Sequence, residues 1–177
     1  MVVYFLRHAS AGQKRSSAKQ DEKRPLDKEG VVQSRHIGRL LAAMNVELDA
    51  IVSSPLKRAT QTAALVANEV GYEGKIELAV AMRPDSRFDS FRIMLEKYQR
   101  KEAVMVVGHN PSISEFASLV LTGGDDGDVL DLKKAAVARV EMKGTRSGVL
   151  TWCVTPRIAR ALYEVASASS TPKTSRK

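Results

Sequence analysis

Short apolar segments of strand length alternate with helical patterns along most of this chain. The strand-like segments are 2–6, 50–52, 75–80 and 103–107. Between them, apolar residues recur three and four positions apart, as they do in helices that pack one face on a sheet. The clearest sets are Ile37, Leu40, Leu41 and Met44; Ala59, Ala63, Val66 and Val70; Phe88, Phe91, Leu95 and Tyr98; and Ile113, Phe116, Ala117, Val120 and Leu121.

This alternation predicts an α/β fold, a three-layer α/β/α sandwich around a mostly parallel sheet. Two late strands, near 136–142 and 149–155, flank a Gly-containing turn and predict a hairpin, so that one strand is antiparallel. We interpret 11–24 as a loop. Ser54-Pro55 and Asn110-Pro111 are helix-start signals, in which Ser54 and Asn110 would cap the helices.

The length of 177 residues suits one domain, which we place at 1–165. The segment 166–177 is polar and basic, so we expect a flexible tail. No apolar run approaches the roughly 20 residues of a membrane span, and the apolar start lacks the basic residues of a signal peptide. Cys153 has no cysteine with which to form an internal disulfide, which favours a reducing, cytoplasmic location.

The net charge of +8 raises the question of an anionic partner. Nine aromatic residues, with no stacking platform or nucleic-acid motif, argue against a nucleic-acid partner. An acidic partner protein and a merely solvated loop both remain open explanations for the largest basic cluster. Its members are Lys14, Arg15, Lys19, Lys23, Arg24 and Lys28.

Polar residues follow three of the predicted strands. Arg7-His8 comes after the first strand, Ser53-Ser54 after the second and Gly108-His109 after the fourth. In open parallel sheets the functional site lies beyond the carboxyl ends of the strands. We therefore expect these three segments to converge on one site, with Arg58 about one turn into the helix that follows Pro55.

These residue types suit phosphoryl transfer, in which negative charge spreads over three equatorial oxygens. An arginine donates two parallel hydrogen bonds and stays protonated. A neutral imidazole attacks phosphorus through one ring nitrogen while a backbone carbonyl holds the proton of the other.

Other interpretations of these residues have weaker support. His36 lies within a helical pattern beside Arg35 and Arg39, which is typical of a partly exposed surface residue. A metal site built from His8, His36 and His109 lacks the expected ligand spacing. The Gly/Asp-rich stretch 123–128 lacks the downstream glutamate of a calcium loop and is interpreted as a turn.

Three motifs, in order along the chain, resemble the histidine phosphatase (phosphoglycerate-mutase-like) superfamily. Leu6-Arg7-His8-Ala9 is similar to its Arg-His-Gly signature, 53–63 to its Ser-Ser-Pro-x-x-Arg-Ala-x-Gln-Thr-Ala block, and 106–111 to its second-histidine block. The short length and Arg24-Pro25-Leu26 resemble the SixA-type phosphohistidine phosphatases. The resemblance covers about residues 1–158.

The resemblance implies a phosphohistidine intermediate on His8 and a phosphoryl group bound by Arg7, Arg58 and His109, with a further contact from Arg24. It implies no cofactor and no metal. Ala9 replaces the usual glycine and narrows the space beside His8.

Many superfamily members also carry a carboxylate that protonates an alkoxide leaving group. In the superfamily this carboxylate lies after the third strand. The carboxylates near that position here are Glu77, Asp85 and Asp89, none of them in a clear acid motif. Asp85 is our candidate general acid. Because an imidazole leaving group needs less protonation, we predict a phosphatase for protein phosphohistidine. The alternatives are a small-molecule phosphomonoesterase and a non-catalytic phospho-binding module, although binding alone would not require a free nucleophile at His8.

Overall fold

The computed structural model describes residues 1–124 and 128–169 and contains a six-stranded sheet flanked by helices. The strands are β1 (Val2–Arg7), β2 (Ala50–Ser53), β3 (Glu77–Leu78), β4 (Ala103–Gly108), β5 (Val137–Lys143) and β6 (Ser147–Val154). The helices are α1 (Ala18–Glu22), α2 (Lys28–Ala43), α3 (Lys57–Glu69), α4 (Phe88–Glu96), α5 (Ser112–Thr122) and α6 (Pro156–Ser169). A short 3₁₀ helix spans Val80–Met82.

The sheet has the strand order β3-β2-β4-β1-β5-β6. Strands β3, β2, β4 and β1 run parallel, and β5 is antiparallel to both β1 and β6. The predicted mostly parallel sheet with one antiparallel strand is therefore confirmed. The predicted hairpin is the β5–β6 pair, which forms the end of the sheet farthest from β3.

Two hydrophobic cores cover the two faces of the sheet and complete the predicted three layers. On one face, Val3 and Phe5 of β1 pack with buried residues of α4 and α5. On the other face, Tyr4 and Leu6 pack with α2, α3 and Ala159 of α6. Successive residues of a strand point to opposite faces, so the continuous apolar run in β1 supplies both cores.

Several local predictions need correction. The 11–24 segment is not entirely loop, because Ser17 caps α1 by accepting a hydrogen bond from the Gln20 amide at 3.3 Å. Of the strand predicted at 75–80, only the two residues of β3 pair with the sheet, and they are exposed at its edge. The predicted caps are also wrong: α3 begins at Lys57 and α5 at Ser112, and neither helix has a side-chain cap.

Helix α6 extends to Ser169, past residue 165, where the predicted domain ends. Residues 170–177, the greater part of the predicted tail, lie outside the described residues, as do residues 125–127 of the predicted turn. The division into a domain and a tail stays a prediction. Within the described ranges, no helix combines the length and the apolar character that crossing a bilayer requires.

Candidate active site

The carboxyl ends of β1, β4 and β2 lie side by side at one edge of the sheet. The register pairs Arg7 with Gly108, and the His8 amide donates to the Gly108 carbonyl at 2.9 Å. The Ser54 amide donates to the Val107 carbonyl, also at 2.9 Å, which brings the end of β2 to the same place. The structure thereby brings together Arg7, His8, Arg58 and His109, the four residues predicted to form the centre of the site.

His8 is only 8% exposed, and its two ring nitrogens have different surroundings. Nδ1 lies 2.7 Å from the Ala9 carbonyl oxygen, an acceptor that can only be matched by an N–H on Nδ1. Nε2 receives a hydrogen bond from Nε of Arg58 at 3.3 Å. Burial, aided by the nearby guanidinium groups of Arg58, Arg7 and Arg24, lowers the pKa of His8 to about 3. At neutral pH the ring is therefore neutral, with its lone pair on Nε2.

His109 lies against His8, with 4.8 Å between the ring centroids. Its side chain is almost fully buried, and burial together with His8 and the arginines lowers its pKa to about 2. Nε2 of His109 is 2.8 Å from the hydroxyl oxygen of Ser54. Nδ1 of His109 is buried and has no hydrogen-bond partner in the described residues.

Arg7 is held from the far side of the site. Its Nη1 donates to the carbonyl of Leu132 at 2.8 Å. Leu132 lies in the segment that follows α5. Its Nε, like Nδ1 of His109, is buried without a partner in the described residues. A buried polar atom without a partner is costly unless a ligand or water satisfies it. Nε of Arg92 has the same property away from this cluster, so the unpaired atoms of Arg7 and His109 gain their interest from their place beside His8.

Asp21 organises the opposite side of the site and was not among the predicted residues. Its carboxylate accepts from Nε of Arg24 at 2.8 Å and lies 3.2 Å from Nη1 of Arg58, which also donates to the Asp21 carbonyl. Although burial opposes the charged form, hydrogen bonds from the Arg15 amide and the Arg24 guanidinium, together with the positive charge of Arg58, hold the pKa of Asp21 below its usual value. Arg24 is held in place by Asp21 and by the Ala11 and Gly12 carbonyls.

Two further residues support the site: Thr62, which was not predicted to belong to it, and Ser54, whose segment was. Thr62 accepts from the Ala9 amide at 3.1 Å and donates to the Arg58 carbonyl at 2.8 Å, so it fastens the turn after β1 to α3. Ser54 contacts His109 instead of capping a helix. The signal for Thr62 lies in the 53–63 motif itself, whereas Asp21 sits among basic residues and carries no local signal.

The three candidate general acids have partners other than the histidines of this cluster. Asp85 has an 81% exposed side chain and its carboxylate is 3.9 Å from Nε of Arg83. Glu77 accepts from the hydroxyl of Tyr98, and Asp89 pairs with Arg92. In residues 1–124 and 128–169, none of the three makes a hydrogen bond or ion pair with the histidines or with Arg7 and Arg58, and no three His, Cys, Asp or Glu side chains gather as metal ligands would.

Comparison with known proteins identifies this arrangement. Residues 3–83 match the model of the histidine phosphatase superfamily (branch 1). An uncharacterized protein of Picosynechococcus sp. is 32% identical over 151 residues, which cover 84% of this chain and 86% of that protein. The chain belongs to the histidine phosphatase superfamily. The predicted membership of this superfamily is therefore confirmed, and the matched range 3–83 contains the first two of the three motifs.

Within the superfamily the chain is similar to SixA. The phosphohistidine phosphatase SixA of Escherichia coli strain K12 is 25% identical over 167 residues, covering 92% of this chain and all of SixA. The solved structure of the protein histidine phosphatase SixA complexed with tungstate superposes with a TM-score of 0.79. It is 23% identical in sequence, and the superposition covers 89% of this chain and 98% of that one. This likeness confirms the predicted fold.

Proposed function

We propose that this chain is a metal-independent phosphatase that hydrolyses protein phosphohistidine through a phosphohistidine intermediate on His8. The observation that carries the proposal is the state of the His8 ring: neutral, with Nδ1 directed to the Ala9 carbonyl and the Nε2 lone pair facing Arg58. A nucleophilic imidazole requires this combination.

In the first step, Nε2 of His8 attacks phosphorus while the P–N bond to the substrate imidazole breaks. The bond pair stays on the leaving nitrogen, which departs as a neutral imidazole when the substrate ring is protonated. Arg58 exchanges its contact with His8 for a phosphoryl oxygen, and the unpaired donors on Arg7 and His109 supply further hydrogen bonds. Fixed donors of this kind stabilise the charge of the transition state.

In the second step, water attacks the phosphorus of phospho-His8, the P–Nε2 bond breaks, and inorganic phosphate leaves. His8 returns to its neutral form, with Nδ1 held throughout by the Ala9 carbonyl. The guanidinium groups supply the positive charge that the transition state requires, so we propose no metal for either step. Arg24 lies behind Arg58 and adds positive charge to the same pocket.

The placement of the carboxylates favours phosphohistidine over a phosphomonoester. An alkoxide leaving group requires a proton donor within hydrogen-bond reach. In the described residues none of the three candidate carboxylates makes a hydrogen bond with His8 or His109, and Asp85 pairs with Arg83. Imidazole leaves from a ring-protonated phosphohistidine as a neutral group and needs no such donor. The broader monoesterase remains the second candidate, and the two make different predictions.

We expect phosphoimidazole, a minimal phosphohistidine, to be hydrolysed at least about a hundred-fold faster than an alkyl phosphate, the size of effect that general acid catalysis provides. Asp85→Asn should leave this ratio unchanged, and a chelator should leave both rates unchanged. A selective loss of alkyl phosphate hydrolysis in Asp85→Asn would instead establish a general acid and favour the monoesterase.

A basic rim of exposed lysines beside the pocket supports a protein substrate. It consists of Lys14, Lys19, Lys23 and Lys57, none of which has an ion-pair partner in the described residues. Lys14 lines a cavity of about 280 Å³ together with Arg24, and Lys23 and Lys57 line another of about 440 Å³. Charges spread over two separate depressions suit an extended acidic surface on a partner better than a small molecule.

We compare kcat/KM for two substrates: a phosphohistidine peptide with acidic flanking residues, and phosphoimidazole. Replacing all four rim lysines by glutamine should lower the first value relative to the second by about ten-fold. Exposed charge pairs contribute a few tenths of a kcal/mol each, and four of them give this total. The matched control replaces Lys75, Lys97, Lys101 and Lys143, four exposed lysines outside the rim, with the same change in net charge. An equal fall in the control, or none in the rim variant, would contradict docking of an acidic partner.

A further inference from the structure

Ser54 is completely buried at the end of β2, and its hydroxyl connects the backbone of the β2–α3 turn to His109. The Leu56 amide donates to the Ser54 oxygen at 3.4 Å, a long hydrogen bond in which the serine is necessarily the acceptor. Nε2 of His109 lies 2.8 Å from the same oxygen. The direction of this second hydrogen bond determines which nitrogen of His109 carries the proton.

Two arrangements of the proton are conceivable for a neutral His109. If Nε2 were protonated it would donate to Ser54, and the serine proton would have no acceptor within hydrogen-bond distance in the described residues. Nδ1 of His109 would then be a buried acceptor without a donor. If instead Ser54 donates to Nε2, the hydroxyl uses both its acceptor and its donor capacity, and only the N–H on Nδ1 remains unpaired.

The second arrangement leaves fewer buried groups unsatisfied, and each unsatisfied group is costly. We propose that Ser54 is a positioning residue that holds His109 in the Nδ1–H tautomer, so that the ring presents a hydrogen-bond donor to the phosphoryl group. This inference rests on the proposed phosphatase function, since it assigns the unpaired N–H to the substrate. A histidine in the other tautomer would present a lone pair to an anion and repel it.

The tautomer is measurable without substrate, by long-range ¹H–¹⁵N correlation spectra of protein labelled at histidine. His36→Asn and His109→Asn spectra assign the three rings. At pH 7 we expect Nδ1 of His109 to be pyrrole-like and Nε2 pyridine-like in the wild type. A protonated Nε2 in the wild type would overturn the proposal, whatever the activity of the protein.

Two substitutions distinguish the hydroxyl from a general effect of disturbing the turn. Ser54→Ala should mix the two tautomers and reduce kcat for phosphoimidazole by about 10- to 100-fold, the usual cost of removing a group that orients a site residue. Ser54→Thr, which keeps a hydroxyl, should restore the tautomer and most of kcat. Unchanged tautomer and kcat in Ser54→Ala would contradict the role of Ser54.

The chain provides a matched control in the neighbouring residue. Ser53 is also completely buried at the end of β2, but its hydroxyl donates to the Ser54 carbonyl and not to a histidine. Ser53→Ala should therefore leave the His109 tautomer as in the wild type. An identical spectral change in both variants would show that packing of the turn, and not the Ser54 hydroxyl, controls His109. If the wild-type protein has no phosphatase activity, the proposed function is refuted. The role of Ser54 in setting the tautomer is still tested, because the spectra do not depend on turnover.

Discussion

Replacing His8 by alanine is expected to reduce turnover of phosphoimidazole by at least about a thousand-fold, because no other side chain occupies the position of the nucleophile. The remaining rate would come from the arginines and His109, which still bind the phosphoryl group. In the wild type, rapid quenching with labelled substrate should recover phosphate on Nε2 of His8, since Nδ1 is directed to the Ala9 carbonyl.

The control for this experiment is His36→Ala. His36 lies in α2, outside the pocket, where its ring contacts Tyr163. This variant should retain the wild-type rate and the label on His8. Full activity in His8→Ala would refute the assignment of the nucleophile, and label on serine or aspartate would indicate a different mechanism.

Replacing Arg58 by alanine should reduce kcat by about 10²- to 10³-fold, the usual cost of removing one preorganised donor to a transition-state oxygen. Arg58 is the guanidinium in direct contact with Nε2 of His8, and it is 5% exposed. Arg58→Lys should recover only a small part of the loss, because an ammonium group does not reproduce the planar fork that contacts both His8 and Asp21.

Arg100→Ala serves as the control because Arg100 is exposed and forms no ion pair in the part of the chain that the structure describes. It should leave kcat unchanged. Thermal unfolding must accompany the kinetics, since loss of Arg58 leaves the buried Asp21 carboxylate with fewer partners. A folded Arg58→Ala protein with wild-type kcat would exclude Arg58 from the phosphoryl pocket.

Predicting the fold required only local patterns. The apolar run in β1 is typical of a strand covered on both faces, and the spacing of Ile37 and Leu41 marks the face of α2 that packs on the sheet. Local patterns failed where tertiary contacts compete with them. Ser54 before Pro55 is a sound capping signal, yet α3 begins later and the serine hydroxyl contacts His109, 55 residues away.

The meeting of the predicted site residues was also predictable, because the ends of parallel strands meet at one edge of the sheet and a polar residue follows each of three strands. Asp21 was not predictable in this way. It reaches Arg58 across 37 residues only because α1 folds over the pocket. The position of Asp21 therefore depends on the tertiary contacts of the 11–24 segment.

The sequence by itself therefore determined the layers of the sandwich and the meeting of Arg7, His8 and His109 at the strand ends, since both follow from strand periodicity and parallel pairing. The tertiary structure alone decided which atoms face each other. Which ring nitrogen of His8 is free for the proposed attack, and which nitrogen of His109 is proposed to carry the proton, depend on single hydrogen bonds to Ala9, Arg58 and Ser54. Such bonds form between segments distant in sequence or depend on side-chain orientation, and no local pattern encodes them.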